Sequence, residues 1–176
     1  MVNLLSWRTK QKLVGGIGGK AGIPNMEMRS FRDNELITGI SILAVLKCIK
    51  KLEFSKCLLI EPLLSYTRVV KGLSRKNSNI KSIEDLVLKE NVVFSDFNSR
   101  YQEKLLLSIN SLLLFSKMGL VSLEGDVAAY TGENFDFFNS NLGEKATARI
   151  KASKRLSEIL LKGEASDFYL SLRIEI

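Results

Sequence analysis

Histidine is absent from this sequence, and cysteine and proline occur only twice each, as Cys48, Cys57, Pro24 and Pro62. Without an imidazole there is no Ser-His or Cys-His nucleophilic machinery and no mixed Cys/His zinc site. Two thiols cannot build a four-cysteine site or a disulfide framework. The carboxylates that could serve as general acids, Asp96, Glu103, Asp136 and Asp167, stand singly, with no paired acid at helical spacing and no metal-ligand pattern. Most hydrolytic and metal chemistry is thereby excluded. The expectation is a protein with no catalytic, metal-binding or cofactor-binding residue, and no enzyme.

Long apolar runs are also missing. The richest windows, residues 36–52 and 105–115, are shorter or more charged than the roughly 20 residues that cross a bilayer. The first 13 residues lack the apolar core of a secretory signal. These readings predict a cytoplasmic protein with no membrane partner and two free thiols, each a small packing element.

What remains is an ordinary globular composition, 45% hydrophobic and 26% charged over 176 residues, with an uneven net charge of +7. Residues 1–90 hold 16 Lys and Arg against 8 Asp and Glu, whereas residues 91–176 hold 10 against 11. Gly15, Gly16, Gly18, Gly19 and Gly22 crowd the segment 1–32, beside six basic residues and Glu27 alone. Glycine loses the most backbone freedom on ordering, so this segment is expected to be a flexible basic arm, with Leu4, Leu5 and Trp7 as apolar anchors for a partner. The run from Val14 to Ala21 approaches a phosphate-binding loop but fails at both ends. Val14 stands where the first glycine belongs, and Ala21 where the magnesium-binding hydroxyl belongs. No nucleotide cofactor is expected.

The periodicity predicts a mainly α fold with a small β-hairpin, organised as a winged-helix-like module with flanking helices. A helix over Asn34–Lys50, capped by Asp33 and apolar all round its wheel, opens an N-terminal helical segment, 33–73. Within it Pro62 breaks or starts a helix, because it has no amide hydrogen to donate. The polar stretch 74–81 reads as an exposed linker. The winged-helix-like module is expected over 82–143. Ser82 with Glu84 and Asp85 resembles a capping box, Val92 to Phe94 is extended or turning, and Ser95, Asp96 and Asn98 offer caps for a long helix to Lys117. Gly119 ends that helix, and Leu120–Leu123 and Val127–Tyr130 flank a turn at Glu124, Gly125 and Asp126. Residues 144–176 complete the chain, with a long helix over Glu144–Lys162, a short helical turn over Asp167–Leu172 and a strand or tail to Ile176.

Charge then discriminates between uses of the module. A winged-helix DNA reader meets phosphates through Lys and Arg on the helix before the hairpin and on the hairpin tip. Here residues 91–143 carry 3 basic against 6 acidic side chains, and the tip presents Glu124 and Asp126. Acid at the tip repels a phosphate backbone, so these two residues are assigned to partner binding. The last long helix pairs an apolar arc, Ala148, Ala152, Leu156, Ile159 and Leu160, with a basic face, Lys151, Lys154, Arg155 and Lys162. That face either meets DNA or an acidic partner or is an ordinary solvated surface.

Three stretches resemble the middle component of ABC-three-component systems, the accessory subunit of Lamassu-type bacterial defence. They are Asn34 through Leu64 with its Leu-Leu-Ile-Glu-Pro-Leu-Leu segment, Arg100 through Val121, and Ala152 through Ile174. The similarity spans about residues 34–176. It departs at Leu156-Ser157, where the family has Leu-Gly, and at Glu61, where an apolar residue precedes the proline; the glycine-rich arm lies outside the pattern. The resemblance implies a non-catalytic subunit of a hetero-oligomer. It would bridge an SMC-like ABC ATPase and an effector, often a nuclease, in antiviral or anti-plasmid defence, with DNA reached through the complex. The alternative is a winged-helix DNA-binding regulator acting through Lys151, Lys154 and Arg155 or the arm.

Overall fold

A helix that is apolar on every side must be surrounded, and α1 (Glu35–Ile49) is: its nine consecutive residues from Thr38 to Leu46 are all buried. The computed structural model describes residues 34–175, so the glycine-rich arm with Leu4, Leu5 and Trp7 lies outside the described residues. Asn34 caps α1 by accepting from the Leu36 amide at 2.7 Å; Asp33, the cap expected from the sequence, lies outside the described residues.

Strand β1 (Lys51–Glu53) follows α1 directly, then α2 (Phe54–Leu64) and α3 (Thr67–Ser74). Pro62 lies inside α2 and does not break it. Only two helical residues follow Pro62, and the buried Leu59, Leu63 and Leu64 hold that last turn in place. After the irregular stretch 75–81 come α4 (Ile83–Lys89) and α5 (Asn91–Phe94), a single helical turn, the turning one of the two conformations expected for Val92 to Phe94. Phe94 buries itself against Phe97, the ring centroids 5.3 Å apart, and that contact decides the local backbone. The Ser82 hydroxyl caps α4 through the Asp85 amide, while the reciprocal bond of the expected capping box falls one residue earlier, from the Lys81 amide to the Asp85 carboxylate.

The long helix α6 (Phe97–Lys117) ends in a complete Schellman motif. The Leu120 amide donates to the Phe115 carbonyl, the Gly119 amide donates to the Ser116 carbonyl, and Gly119 takes φ +74°. Asp96 does not cap α6 with its side chain, because its carboxylate is taken by the Tyr66 hydroxyl at 3.0 Å and by Arg100. The hairpin of β2 (Val121–Glu124) and β3 (Val127–Tyr130) turns on Gly125 at φ +60°, the first central position, where a type II′ turn wants glycine.

The hairpin is not alone. β1 pairs antiparallel with β3, Leu52 opposite Ala128, giving a three-stranded sheet in the order β1-β3-β2. This corrects the division of the chain at residues 73 and 82. The winged-helix-like order helix, strand, helix, helix, hairpin begins at α1, and α3, α4 and α5 form an insertion between its second and third helices. The last helices, α7 (Gly143–Leu160) and α8 (Ala165–Ser171), are equally integral. α7 lies against α1 and α3, so the described parts of the segments 33–73, 82–143 and 144–176 belong to one body, residues 34–175. Of the strand or tail expected after Leu172, the described residues form the tail. The tail is tied back to α6, with Glu175 bonded through its amide to Asn98 and through its carbonyl to Gln102.

Candidate functional site

A buried ion pair joins the helices α2 and α7. The Glu61 side chain of α2 is fully buried, and Arg149 of α7 meets it with 1% of its surface exposed. The guanidinium forks onto both carboxylate oxygens, with Nη2 donating to Oε1 at 3.1 Å and Nη1 donating to Oε2. Thr38 of α1 adds a third bond, its hydroxyl donating to Oε2 at 2.9 Å. One polar constellation therefore ties three helices together, leaving only Arg149 Nε without a hydrogen bond. Sealed from solvent, it offers no substrate a path and reads as an internal clamp. The signal for it was in the sequence. Arg149 is spaced three residues from both Ala146 and Ala152, which puts it on the apolar arc of α7 and not on the basic face.

The basic face itself divides. Lys151, Lys154 and Arg155 line a groove between α3 and α7 and are joined there by Lys71, Arg75 and Lys76, which charge counting along the last helix could not assemble. Lys162 is not part of that group. Its ammonium donates to the Lys81 carbonyl at 3.0 Å and anchors the end of the irregular stretch 75–81.

α6, the helix that precedes the hairpin, turns a leucine-bearing face to solvent. Leu106 is 64% exposed and Leu113, two turns on, 47%, with the half-buried Ile109 between them and Met118 exposed just beyond the helix. α6 runs directly into the hairpin, whose exposed tip carries Glu124 and Asp126. These two acids stand in solvent as expected, although the Asp126 carbonyl also accepts from the Phe54 amide and so fixes the turn against the start of α2. The apolar exposure of α6 was missed at the sequence level, because its leucines fill the wheel too evenly to say which side is covered.

Other titratable groups are set by packing. Burial pushes the Cys57 thiol up to about 12, while Cys48 is exposed; both thiols are free. Burial likewise raises the Tyr66 phenol to about 12, helped by its bond to Asp96 and opposed by the Arg100 guanidinium, 4.3 Å from the ring centre. Among the described residues no group of three or more Cys, Asp or Glu side chains is placed to hold a metal ion, and no helix is long and apolar enough to cross a membrane. No family model, curated protein or solved structure matches this chain.

Proposed function

We propose that this chain is a non-catalytic adaptor, the accessory subunit that holds an SMC-like ABC ATPase and a nuclease effector together in cytoplasmic defence against phage or plasmid DNA. The observation that carries the adaptor reading is the solvent face of α6. In a winged-helix DNA reader this helix presents Lys and Arg to phosphates. Here the corresponding face presents Leu106 and Leu113, and the adjoining tip presents Glu124 and Asp126. Exposed large apolar side chains rimmed by polar residues mark protein contacts, and paired acids repel a duplex. The choice of these partners rests on the resemblance of residues 34–176 to the middle component of ABC-three-component systems. The α6 face and the acidic tip speak against groove reading by the hairpin end of the molecule; the regulator alternative would act instead through Lys151, Lys154 and Arg155 or the arm.

The test is co-expression with the products of the genes beside its own. The adaptor reading expects a stable complex containing an ATPase and an effector, and loss of one of them when Leu106→Asp and Leu113→Asp are combined. Elution of the chain as a monomer apart from both neighbours, or turnover of a substrate by the purified chain, overturns it.

A further inference from the structure

We infer that the groove between α3 and α7 is a sequence-independent binding site for the phosphate backbone of duplex DNA, on a different surface from the one a winged helix uses. The groove consists of two adjoining hollows of about 540 and 300 Å³ that share Ser74, Arg75 and Lys151. Its walls carry six cations, Lys71, Arg75 and Lys76 from α3 and the segment after it, and Lys151, Lys154 and Arg155 from α7. Two carboxylates, Glu144 and Glu158, oppose them. Five of the six cations are exposed and Arg155 is half-buried. Among the described residues none of the six is held in an ion pair, so their charge is available.

Helix packing fixes the two walls. Val70 and Leu73 of α3 are buried, and the Ser74 hydroxyl bonds the Val70 carbonyl at 2.7 Å and reaches the Ala148 carbonyl of α7 at 3.4 Å. The cations are therefore displayed by two elements whose spacing is set by the core.

Composition favours nucleic acid over an acidic protein. Protein interfaces are built on aromatic and aliphatic anchors and are depleted in lysine. None of the large exposed hydrophobic residues of the described chain lines this groove; Leu106, Leu113 and Met118 belong to α6 and its end. Beside its cations, its two carboxylates and the apolar side chains Val70, Leu73 and Ala148, the groove offers Ser74 and Thr147, with Asn77 exposed just beyond, and hydroxyls and amides of this kind contact phosphate and sugar. Phosphate contacts of this kind carry no sequence information, so the binding is expected to be weak, with a Kd of about 10⁻⁴ to 10⁻⁶ M at physiological salt.

The experiment is a titration of the full chain with a short duplex of random sequence at several salt concentrations, which needs no partner protein and so stands apart from the adaptor test. The expected result is a linear fall of log K with log salt. Lys151→Glu with Lys154→Glu, and separately Lys71→Glu with Arg75→Glu, should each weaken binding roughly tenfold or more and reduce the slope by about 2. Lys117→Glu, at the far end of α6, should change it little. All these positions are solvent-exposed, so the folded state is expected to survive, and circular dichroism checks it. Equal losses from Lys117→Glu would reduce the effect to net charge and overturn the site. So would retention of full affinity by both groove variants, or tighter binding of poly-glutamate than of duplex, which would reassign the groove to an acidic protein.

Discussion

Arg149 on α7 and Glu61 on α2, 88 positions apart in sequence, form a bidentate ion pair sealed inside the molecule, with the Thr38 hydroxyl of α1 as its third member. Neither charge can recover water if the other is removed. Arg149→Met is expected to lower unfolding stability by about 3–5 kcal/mol, the usual result of stranding one member of a buried pair. Replacing both, as Glu61→Leu with Arg149→Met, should restore much of the loss, because the desolvation cost of both charges disappears together. Urea denaturation of the two single variants and the double variant gives the coupling directly. Additive losses in the double variant would mean that the pair is not interacting as the geometry requires.

Glu61 also shows why part of this molecule was legible in advance and part was not. The helices and the hairpin follow from local signals, namely apolar periodicity, Ser82 before an acidic turn, Gly119 after a long helix and Gly125 between two short β-prone runs. Residues 51–53 carry no such signal. Lys-Leu-Glu becomes a strand because β3 is available to pair with it, and with that pairing the boundaries drawn at 73 and 82 dissolve. The departure at Glu61 had no local explanation, since its partner lies on a helix that only tertiary packing brings near. The groove is the same kind of case: Lys71 and Lys151 are remote in sequence and face one another because Val70 and Leu73 need cover.

Gly39 sits where the Phe115 ring crosses α1. A Cβ built at that position would lie 2.0 Å from the nearest ring carbon, so the contact exists only because the side chain is a hydrogen. Gly39→Ala gains helix propensity, yet the overlap should dominate, with a net loss of about 1–3 kcal/mol from overpacking. Shrinking the opposing residue with Phe115→Leu should cost stability alone, but less in the Gly39→Ala background. A thermal or urea double-mutant cycle measures this. A stabilised Gly39→Ala would show that α1 and α6 can separate without penalty.

The two thiols should differ in reactivity. Cys57 is fully buried with its thiol pushed up to about 12, so near neutral pH it is protonated as well as inaccessible, whereas Cys48 is exposed at the end of α1. A thiol reagent applied to the native protein is expected to titrate one group quickly, and a second only in denaturant. Two fast equivalents in the native state would place Cys57 in a region that opens readily.

Leu112 and Leu113 are neighbours on α6 with opposite tasks, and they separate folding from association. Leu112 is 1% exposed and packs in the core, so Leu112→Ala should cost about 2–5 kcal/mol of stability. Leu113, 47% exposed, and Leu106, 64% exposed, have little to lose on folding, and alanine at each should change stability by no more than about 0.5 kcal/mol. If that face docks a protein, the order reverses for binding. The Leu106→Ala, Leu113→Ala variant should fold normally yet lose about tenfold or more in affinity for its partner, as truncation of anchors near an interface centre does. Unfolding curves and partner affinities measured on the same preparations settle the contrast. Undiminished affinity in the folded double variant would move the docking surface off α6 and onto another part of the molecule.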